Sequence, residues 1–423
     1  KKIIPKKLLK LRHFFWSWWG SMKYHHPSEE LLVIGVTGTS GKTSTIHFLR
    51  QVLEQAGYKV GSLSTADFYV DGKLKLNDQK MTMLGKMQIQ KYLREMVNKK
   101  CEIAIVETTS EGYLQYRHRF INYDIILLTN LYPEHIEAHG GFENYKAAKL
   151  GIFEYVSKSK VKSQKIKDKN IGKIAIVNGK NEYVGKFLDY NFDQKIKFSV
   201  VNIETKKEGL NFKVDNIKYF APLYGQHNAE NLAGVIAVAK SLGVDNEKIK
   251  QAISKLTSPP GRLEFILEAN KFGFQVIVDY AFEPVALQKL YEVVVLLEIK
   301  GKIIHVCGST GGGRDKDRRE PIGKLVGEKA NIVIVTNEDP YDENPTEIIK
   351  QVSTGAQKVG KVLNKDLFEV LDRKEAIEKA IMMAQLGDLV LITGKGSEQK
   401  MCVANGKMID WDDREVVRQF LQV

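Results

Sequence analysis

Residues 33–45 read VIGVTGTSGKTST, an apolar run that stops at glycines, a lysine and hydroxyl residues just before a helical pattern begins. Gly38 and Gly41 allow backbone N–H groups to turn inward on phosphate oxygens, and the following helix offers its positive N-terminal end. Strand, Gly-Lys-Thr and helix in this order predict a phosphate-binding loop. One position departs from the strict nucleotide-binding pattern, because Val36 stands where that pattern has glycine.

The side chains of this loop have distinct predicted roles in binding a nucleotide. Lys42 would reach the β- and γ-phosphates, and the hydroxyl of Thr43 or Ser44 would bind Mg²⁺. A glycine-rich turn without a ligand is the alternative, and the complete order of strand, loop and helix argues against it. The predicted ATP-binding residues of the loop are Gly38, Thr39, Ser40, Gly41, Lys42, Thr43 and Ser44.

Composition bounds the class of protein and its partners. The chain has 423 residues, 43% of them hydrophobic, which is enough for a large core in two or three domains. Lys and Arg number 64 against 51 acidic residues, so the formal net charge is +13. This excess fits an anionic nucleotide, substrate or phospholipid surface, or it is a lysine-rich soluble surface. Nucleic acid is not an expected partner, since no basic–aromatic motif accompanies the charge. Three distant cysteines argue against a disulfide scaffold or zinc ribbon and favour the cytoplasm.

The N-terminal stretch 1–24, KKIIPKKLLKLRHFFWSWWGSMKY, is first basic and then aromatic. It does not fit a signal peptide, because Lys10, Arg12 and His13 interrupt its apolar region. The chain also contains no run of 18 uncharged apolar residues, the length of an ordinary membrane span. Two interpretations stay open. The segment is an interfacial helix at the inner membrane surface, or its aromatic residues pack on the next domain or a partner chain.

After residue 30, apolar strand-like runs alternate with helical stretches such as 43–56 and 86–99, which predicts an α/β fold with mostly parallel sheets. The polar, Lys-rich stretch 156–172 predicts a solvated loop, and 195–222 predicts a small antiparallel section. The SPPGR break at 258–262 separates a second series of strand–helix units. We therefore expect an N-terminal segment 1–30, a central P-loop ATPase domain 31–258 and a Rossmann-like C-terminal domain 259–423.

The loop and further segments in the same order resemble the Mur ligases, the ATP-dependent amide-bond enzymes of peptidoglycan precursor synthesis. The loop is similar to the family's G-x-x-G-T-x-G-K-[ST] pattern, which lacks the strict glycine and so accounts for Val36. Two of these segments, TNEDPYDENP (336–345) and GKGSE (394–398), are similar to those of the MurE type, the branch that adds the third amino acid of the stem peptide. The further segments are ETTSEGYLQYR (107–117), TNLYPEHIEAHGGFENYKAAKLGIF (129–153), GRLE (261–264), VDYAFEPVAL (278–287), GSTGGGRDKDRREP (308–321), TNEDPYDENP (336–345) and GKGSE (394–398).

This resemblance implies that ATP phosphorylates a substrate carboxylate and that an amino acid attacks the acyl phosphate. It implies that CO₂ carbamylates Lys149, which then becomes a carboxylate-like metal ligand; spacing alone leaves an ordinary helix-surface lysine as the other interpretation. The implied catalytic residues are Lys42, His135, Lys149 and Arg314. The implied Mg²⁺ ligands are Thr43, Glu107, His135 and carbamylated Lys149.

The resemblance also implies the remaining contacts with the substrates. Outside the loop, the implied ATP-binding residues are Asn231, Arg262, Arg314 and Asp315. The implied contacts with the muramoyl peptide are Thr109, Gln115 and Arg117. The implied contacts with the incoming amino acid are Glu338, Asp339, Tyr341, Gly394 and Glu398.

Three features depart from the family's pattern. Only 34 residues precede Gly35, where Mur ligases usually carry a sizeable UDP-binding domain. Either that domain was lost, or the chain is a shortened form, or the acceptor is not held by uridine and is, for example, linked to a lipid. Tyr341 replaces the arginine that pairs with the distal carboxylate of meso-diaminopimelate, so lysine or another amino acid is expected. Phe282 and Ser397 replace two family histidines.

The leading interpretation is a monomeric, cytoplasmic MurE-type ligase that uses ATP and Mg²⁺ to join a muramoyl peptide and an amino acid. The nearest alternative is a related ligase with another acceptor, such as a folylpolyglutamate or poly-amino-acid synthetase. A second alternative, motivated by Phe282, is a non-catalytic ATP-binding scaffold anchored through its N-terminal helix.

Overall fold

The computed structural model describes residues 6–77, 82–133, 140–161, 165–166, 169–313 and 316–422. It divides into two compact units, Lys1–Thr257 and Ser258–Val423, called the first and second unit below. The division falls at the start of the SPPGR stretch, where two prolines and a glycine prevent a helix or a strand from continuing.

A mostly parallel sheet of eight strands forms the centre of the first unit. Its strands are β1 (Leu32–Thr37), β2 (Val60–Leu63), β3 (Asp67–Val70), β4 (Lys73–Leu76), β5 (Ile103–Glu107), β6 (Ile125–Leu128), β9 (Ile174–Asn178) and β10 (Gln194–Phe198); between β6 and β9 lie the short strands β7 (Lys165–Ile166) and β8 (Lys169–Asn170). The order across the sheet is β10-β9-β6-β1-β5-β2-β3-β4. The strands from β10 to β2 are parallel, and β3 and β4 extend one edge by antiparallel pairing.

Helices cover both faces of this sheet, which explains why its central strands are continuously apolar. The helices are α1 (Lys6–Lys23), α2 (Lys42–Gln55), α3 (Lys86–Asn98), α4 (Ser110–Leu114), α5 (Phe142–Ser157), α6 (Val184–Leu188), α7 (Gln226–Ser241) and α8 (Asn246–Ile253). In β1, Ile34 and Val36 belong to the core that contains residues of α2 and α7, whereas Val33 belongs to the core that contains residues of α3 and α5. All six residues of β1 are buried, so the loop that follows starts from a fixed point.

The predicted loop at 156–172 and the predicted antiparallel section at 195–222 both need correction. The stretch 156–172 is not simply a loop, since α5 continues to Ser157 and β7 and β8 form a short antiparallel hairpin. In the stretch 195–222, β10 belongs to the main parallel sheet, and the antiparallel sheet begins only at Val201. That sheet contains β11 (Val201–Lys206), β12 (Gly209–Val214) and β13 (Ile217–Ala221).

Helix α1 packs on the first unit through its small residues. Ser17 and Ser21 are 2% and 0% exposed, and Ser17 Oγ donates to Tyr116 O at 2.7 Å. The three tryptophans of α1 are 39–45% exposed. The expectation that the aromatic residues pack on the next domain is therefore wrong for the tryptophans, because these side chains are exposed while Ser17 and Ser21 are buried. No described helix is both long enough and apolar enough to cross a membrane.

The second unit has its own sheet of six strands. They are β14 (Glu264–Phe265), β15 (Gln275–Asp279), β16 (Ile303–Cys307), β17 (Ile332–Thr336), β18 (Leu367–Val370) and β19 (Leu389–Thr393), followed by the hairpin of β20 (Lys400–Cys402) and β21 (Met408–Asp410). The order is β14-β15-β19-β16-β17-β18, with only β14 antiparallel. Its helices are α9 (Pro284–Leu296), α10 (Arg319–Lys329), α11 (Pro345–Lys358), α12 (Arg373–Met383) and α13 (Asp413–Leu421). The predicted α/β fold is confirmed, and the main sheet of each unit is mostly parallel, as predicted.

Candidate active site

The predicted phosphate loop joins β1 to α2. Gly41 has φ 77°, in the left-handed region that favours glycine, and it directly precedes the first residue of α2. A Cβ at Gly41 would clash with the carboxamide of Asn231, and a Cβ at Gly38 would clash with the hydroxyl of Thr129. Glycine thus occupies the two loop positions, 38 and 41, whose backbone is contacted closely by the side chains of Thr129 and Asn231. Asn231, a predicted ATP-binding residue, lies directly against it.

Polar groups from two sides fix the conformation of this loop. Lys42 Nζ donates to Gly38 O at 3.0 Å and to Thr39 O at 2.9 Å, so its ammonium lies over the loop. Asn130 Oδ1 accepts from the backbone N–H of Thr39 at 3.1 Å and of Ser40 at 2.9 Å. The first N–H groups of α2 have no intrahelical acceptor and form its positive end. Loop, lysine and helix end therefore concentrate positive potential at one place, as phosphate binding requires.

The predicted metal ligands Thr43 and Glu107 meet beside the loop. Glu107 ends β5, and its backbone is paired with Val36 of β1, so the register brings its carboxylate to the loop. Thr43 Oγ1 lies 3.2 Å from Glu107 Oε2, which also accepts from Thr65 N at 2.7 Å. Within the described residues, no group of three or more His, Cys, Asp or Glu side chains could hold a metal. One carboxylate and one hydroxyl still suit Mg²⁺, because this ion usually keeps water and takes phosphate oxygens.

Lys149 is buried against the phosphate loop rather than exposed on the surface of α5. It is 1% exposed, and its Nζ donates to Gly38 O at 2.8 Å. The ammonium also lies 4.8 Å from the ring centroid of Tyr145, whose hydroxyl donates to Thr39 Oγ1 at 3.2 Å. The interpretation as an ordinary helix-surface lysine is therefore wrong. His135, which the resemblance implies as a Mg²⁺ ligand, lies outside the described residues.

The three residues predicted to contact the muramoyl peptide lie together on α4 and the turn after it. Thr109 Oγ1 accepts from Gly112 N at 3.0 Å and so caps α4. Gln115 Oε1 accepts from Arg117 Nε at 3.0 Å and from Nη2 at 2.6 Å. Arg117 also donates to Met83 O. Burial lowers the pKa of Arg117, which indicates a guanidinium partly removed from solvent.

In the second unit, a buried lysine brings the predicted amino-acid contacts together at the ends of β17 and β19. Lys395 is 0% exposed, and its Nζ donates to both carboxylate oxygens of Asp339 at 3.0 Å and to Glu398 Oε2 at 2.6 Å. Tyr280 OH donates to the other oxygen of Glu398 at 3.1 Å. Asp339 and Glu398, two of the three predicted acidic contacts, are thus neutralised by Lys395, which belongs to the GKGSE segment.

Glu338 differs from these two acids in its surroundings. It is 2% exposed, its Oε2 has no hydrogen-bond partner among the described residues, and a Cβ at Gly394 would clash with that oxygen. Burial raises the pKa of Glu338 to about 7, against the opposing effect of Arg373 and Lys395. Arg373 forms a buried ion pair with Asp413 at 2.7 Å. Glu338 is therefore a buried carboxyl group with one oxygen that lacks a hydrogen-bond partner among the described residues.

The remaining predicted residues have less distinctive surroundings. Tyr341 has φ 52°, and its N–H donates to Cys402 O at 3.1 Å. Arg262 lies over the ring of Tyr280, 5.3 Å from its centroid. Ser44 lies in the first turn of α2. Arg314 and Asp315 fall outside the described residues.

Known proteins match this chain along most of its length. Residues 36–239 match the Mur ligase middle domain, and residues 261–396 match the Mur ligase, glutamate ligase domain. A UDP-N-acetylmuramyl-tripeptide synthetase of Borreliella burgdorferi is 35% identical over 421 residues, which cover 96% of this chain and 79% of that protein. The chain belongs to the Mur ligase family. It is an ATP-dependent, ADP-forming amide ligase, since this is the activity of the family, which works with Mg²⁺.

Other relatives of this Mur ligase are also of the MurE type. A UDP-N-acetylmuramoyl-L-alanyl-D-glutamate–2,6-diaminopimelate ligase of Clostridium acetobutylicum is 31% identical over 409 residues, which cover 95% of this chain and 80% of the relative. A solved structure of a ligase with the same name superposes with a TM-score of 0.63 at 25% identity, covering 93% of this chain and 78% of the other. A folylpolyglutamate synthase of Mycobacterium tuberculosis has a TM-score of 0.66 at 15% identity, over 97% of this chain and 95% of the other, which shows the fold alone.

Sequence reasoning missed several residues that shape this ligase's site. Asn130 and Tyr145 belong to a segment that was singled out, and the Thr-Asn pair after β6 was the available signal. Lys395 lies inside GKGSE, yet the sequence alone does not indicate that its ammonium donates to both Asp339 and Glu398. Arg373 belongs to no motif, so its buried pair with Asp413 required the fold.

Proposed function

We propose that this Mur ligase adds the third amino acid of the peptidoglycan stem peptide to a muramoyl-peptide acceptor, as a monomer. The observation that carries the proposal is the buried Lys149, which donates to the phosphate loop in the same unit as the paired Thr43 and Glu107. The names of the relatives, a tripeptide synthetase and a diaminopimelate ligase, indicate this reaction rather than another amide ligation.

The proposed chemistry begins with activation of a carboxylate, because a carboxylate is a poor electrophile. The acceptor carboxylate would attack the γ-phosphorus of ATP, releasing ADP and forming an acyl phosphate. The amino group of the incoming amino acid would then attack the acyl carbon and release phosphate. Lys42 and the positive end of α2 would neutralise and orient the phosphates in the first step. Mg²⁺, when bound at Thr43 and Glu107, neutralises phosphate charge.

Lys149 is proposed to act as a carbamate. As an ammonium it would bring a positive charge to a metal site, whereas the carbamate offers oxygen ligands. Its burial supports this role, because a carbamate exposed to water would hydrolyse readily. Removal of CO₂ and bicarbonate should lower kcat reversibly, and ¹³CO₂ should produce a carbamate carbon resonance that the Lys149→Arg variant lacks. An unchanged kcat in CO₂-free buffer, with no such resonance, would exclude carbamylation.

The incoming amino acid is proposed to be lysine or another amino acid without a second carboxylate. Tyr341 occupies the position of the family arginine, and a phenol cannot form the bidentate ion pair of a guanidinium with a carboxylate. Competition between meso-diaminopimelate and lysine at equal concentration decides the point. The Tyr341→Arg variant should gain about tenfold in relative use of diaminopimelate, since a charge-assisted hydrogen bond contributes about 1.5–3 kcal/mol. Preference of the wild type for diaminopimelate would refute the assignment.

The main test is release of ADP by the full chain with Mg²⁺ and ATP. UDP-N-acetylmuramoyl-L-alanyl-D-glutamate and a lipid-linked muramoyl dipeptide serve as alternative acceptors, each with a panel of amino acids. Release that requires both an acceptor and an amino acid is the expected result. The Lys42→Met variant should abolish it, and Lys91→Met, a change at an exposed position of α3, should not. Turnover with folate-type acceptors alone would favour the related polyglutamate ligases.

We also propose that α1 makes a peripheral contact with an anionic membrane surface. Its sequence contains no Asp or Glu, and Lys10, Arg12 and Lys23 are exposed. Trp16, Trp18 and Trp19 are exposed on the same helix. Basic and tryptophan side chains together fit the boundary between anionic head groups and acyl chains.

A further inference from the structure

Four basic groups gather where α1 meets the segments that carry the predicted acceptor contacts. They are Arg12 and His13 of α1, Lys86 at the start of α3, and Arg117 after α4. Burial, together with the like charges of Arg117 and Arg12, lowers the pKa of Lys86 to about 8. Burial also lowers the pKa of His13, together with Lys86, Arg12 and Arg117. Lys86 and His13 thus each lie within electrostatic range of both Arg12 and Arg117.

The packing of α1 fixes this arrangement. Gly20 contacts α3 so closely that a Cβ there would lie 3.1 Å from Met87 Sδ and 3.4 Å from Lys86 O. One turn earlier, Ser17 Oγ donates to the carbonyl of Tyr116, the residue before Arg117. The rings of Phe14 and Phe120 are 5.3 Å apart, edge to face. Helix α1 is therefore anchored at both segments, and Arg12 and His13 lie on the turn before Ser17.

Two members of this cluster lack a counter-charge: among the described residues, neither Lys86 nor Arg12 makes an ion pair or a side-chain hydrogen bond. Glu111 is a described acidic group that acts on Arg117, and it is exposed and accepts from Gln115 Nε2 at 2.7 Å. Like charges held together cost free energy unless an anion neutralises them. A half-buried lysine in such a cluster therefore suits a binding site for an anion.

We infer that Arg12, Lys86 and Arg117 together bind an anionic group of the acceptor, so that α1 forms one wall of the acceptor site. The inference rests on the proposed function, in which Arg117 contacts the muramoyl peptide. It adds two residues, one of them on a helix that precedes both matched domains. The anion is a carboxylate of the peptide or the diphosphate of a nucleotide-linked acceptor, since both present oxygens to which lysine and arginine donate.

The experiment compares KM for the acceptor with KM for ATP in the full chain. The variants Arg12→Gln and Lys86→Gln remove one charge each, and the controls Lys91→Gln and Lys248→Gln remove an exposed charge from α3 and from α8. With UDP-N-acetylmuramoyl-L-alanyl-D-glutamate, we expect KM for the acceptor to rise about tenfold in each site variant. KM for ATP should stay within twofold, and the controls should match the wild type.

Binding of the acceptor, followed by calorimetry, separates the inference from the proposed function. If the wild type neither binds nor turns over this acceptor or the lipid-linked muramoyl dipeptide, the proposed function fails and the inference fails with it. If the wild type is active and the site variants bind the acceptor as tightly as the controls do, the inference alone is wrong. Circular dichroism establishes that each variant is folded.

Two altered acceptors identify the anionic group. Muramoyl-L-alanyl-D-glutamate lacks the diphosphate and keeps the α-carboxylate. The UDP-linked acceptor with isoglutamine in place of glutamate keeps the diphosphate and lacks the α-carboxylate. If the effect of Lys86→Gln disappears with the first acceptor, the cluster binds the diphosphate. If it persists there and disappears with the isoglutamine peptide, the cluster binds the α-carboxylate. An effect of equal size with both altered acceptors would contradict the diphosphate and the α-carboxylate as the ligand.

Discussion

At the scale of single residues, Glu338 links burial to pH dependence. Its pKa is raised by burial from 4.5 to about 7, so the folded chain holds this proton more tightly than the unfolded chain does. Its contribution to stability is therefore present below about pH 4.5 and is lost as the pH rises through about 7. Glu338→Gln should raise the free energy of unfolding of the second unit at pH 8 by up to about 3 kcal/mol, and should change it little at pH 4.

Trp411 provides the measurement for this prediction, because it is the one tryptophan of the sequence after residue 258. Its indole N–H donates to Asp413 Oδ1 at 2.8 Å, so its fluorescence should respond to unfolding of the second unit. Urea unfolding at pH 4 and pH 8 gives the two free energies. Glu369→Gln, at an exposed position of β18, is the control and should show no pH-dependent gain. Equal gains for both variants would show that the raised pKa has no role.

Two glycines at opposite ends of α2 separate backbone strain from a side-chain clash. Gly41 has φ 77° and Gly57 has φ 85°, but a Cβ at Gly57 would have no heavy atom within 4 Å, whereas one at Gly41 would clash with Asn231. Both alanine variants should lose about 1–2 kcal/mol of stability from the left-handed backbone. Gly41→Ala alone should weaken ATP binding at least tenfold, as measured by calorimetry. Equal ATP affinity in both variants would argue against the assignment of the loop.

The phosphate loop was predictable from the sequence because its chemistry is local. Thr43 follows Lys42 directly, and Gly38 and Gly41 lie within four positions of it. The surroundings of Glu338 were not predictable in this way. The ammonium of Lys395 donates hydrogen bonds to Asp339 and Glu398, and Asp339 lies 56 positions from Lys395 in the chain. The segment TNEDP suggested acidic contacts with an amino acid, but only the fold tells which carboxyl group has an unpartnered oxygen.

At the scale of elements, the long buried strands and their helices followed from apolar runs and periodicity. The prediction of helices at 43–56 and 86–99 is close to the observed α2 and α3. The edge strands β3 and β4 and the strand β18 were missed. The residues of β4 are mostly exposed and include two lysines, so they give no apolar run. An edge strand obtains its conformation from pairing with its neighbour, and single-sequence patterns carry little of that information.

Helix α1 supports a prediction about membrane binding. Because Trp16, Trp18 and Trp19 are exposed while Ser17 and Ser21 face the protein, replacement of the three tryptophans by serine should leave folding intact. The wild type should sediment with vesicles that contain phosphatidylglycerol and much less with pure phosphatidylcholine vesicles. The triple serine variant should bind the anionic vesicles at least tenfold more weakly.

The control for α1 is Leu267→Ser, which removes an apolar side chain that is 68% exposed in the second unit. It should bind anionic vesicles as the wild type does. Binding of the triple serine variant at the level of the wild type would exclude α1 as the contact. Retention of a partner protein instead of vesicles would favour the other interpretation of these aromatic residues, an interface with a second chain.

At the scale of the whole molecule, each unit contains a buried histidine whose pKa is lowered by burial, and the two units should respond differently to acid. Burial lowers the pKa of His118 and of His305 to about 3, so both are neutral in the folded chain. His118 is stacked on Tyr113 with ring centroids 4.6 Å apart, and His305 Nε2 lies 2.9 Å from Thr393 Oγ1. Between pH 6.5 and pH 3 the unfolded chain binds more protons at these sites, so stability falls as the pH is lowered.

The second unit contains an opposing group, and from this contrast we predict that the first unit loses stability first in acid. Each histidine removes about 1.4 kcal/mol per pH unit below pH 6.5, while Glu338 adds a similar amount between about pH 7 and pH 4.5. Hydrogen exchange followed by mass spectrometry at pH 7 and pH 5 resolves the two units, after correction for the intrinsic exchange rates. Protection should fall in β5, β6 and α5 and change little in β15, β16 and β19. His118→Phe should remove most of the loss in the first unit, and His25→Asn, at an exposed position, should not. An equal loss of protection in both units of the wild type would contradict the opposing action of Glu338 and His305.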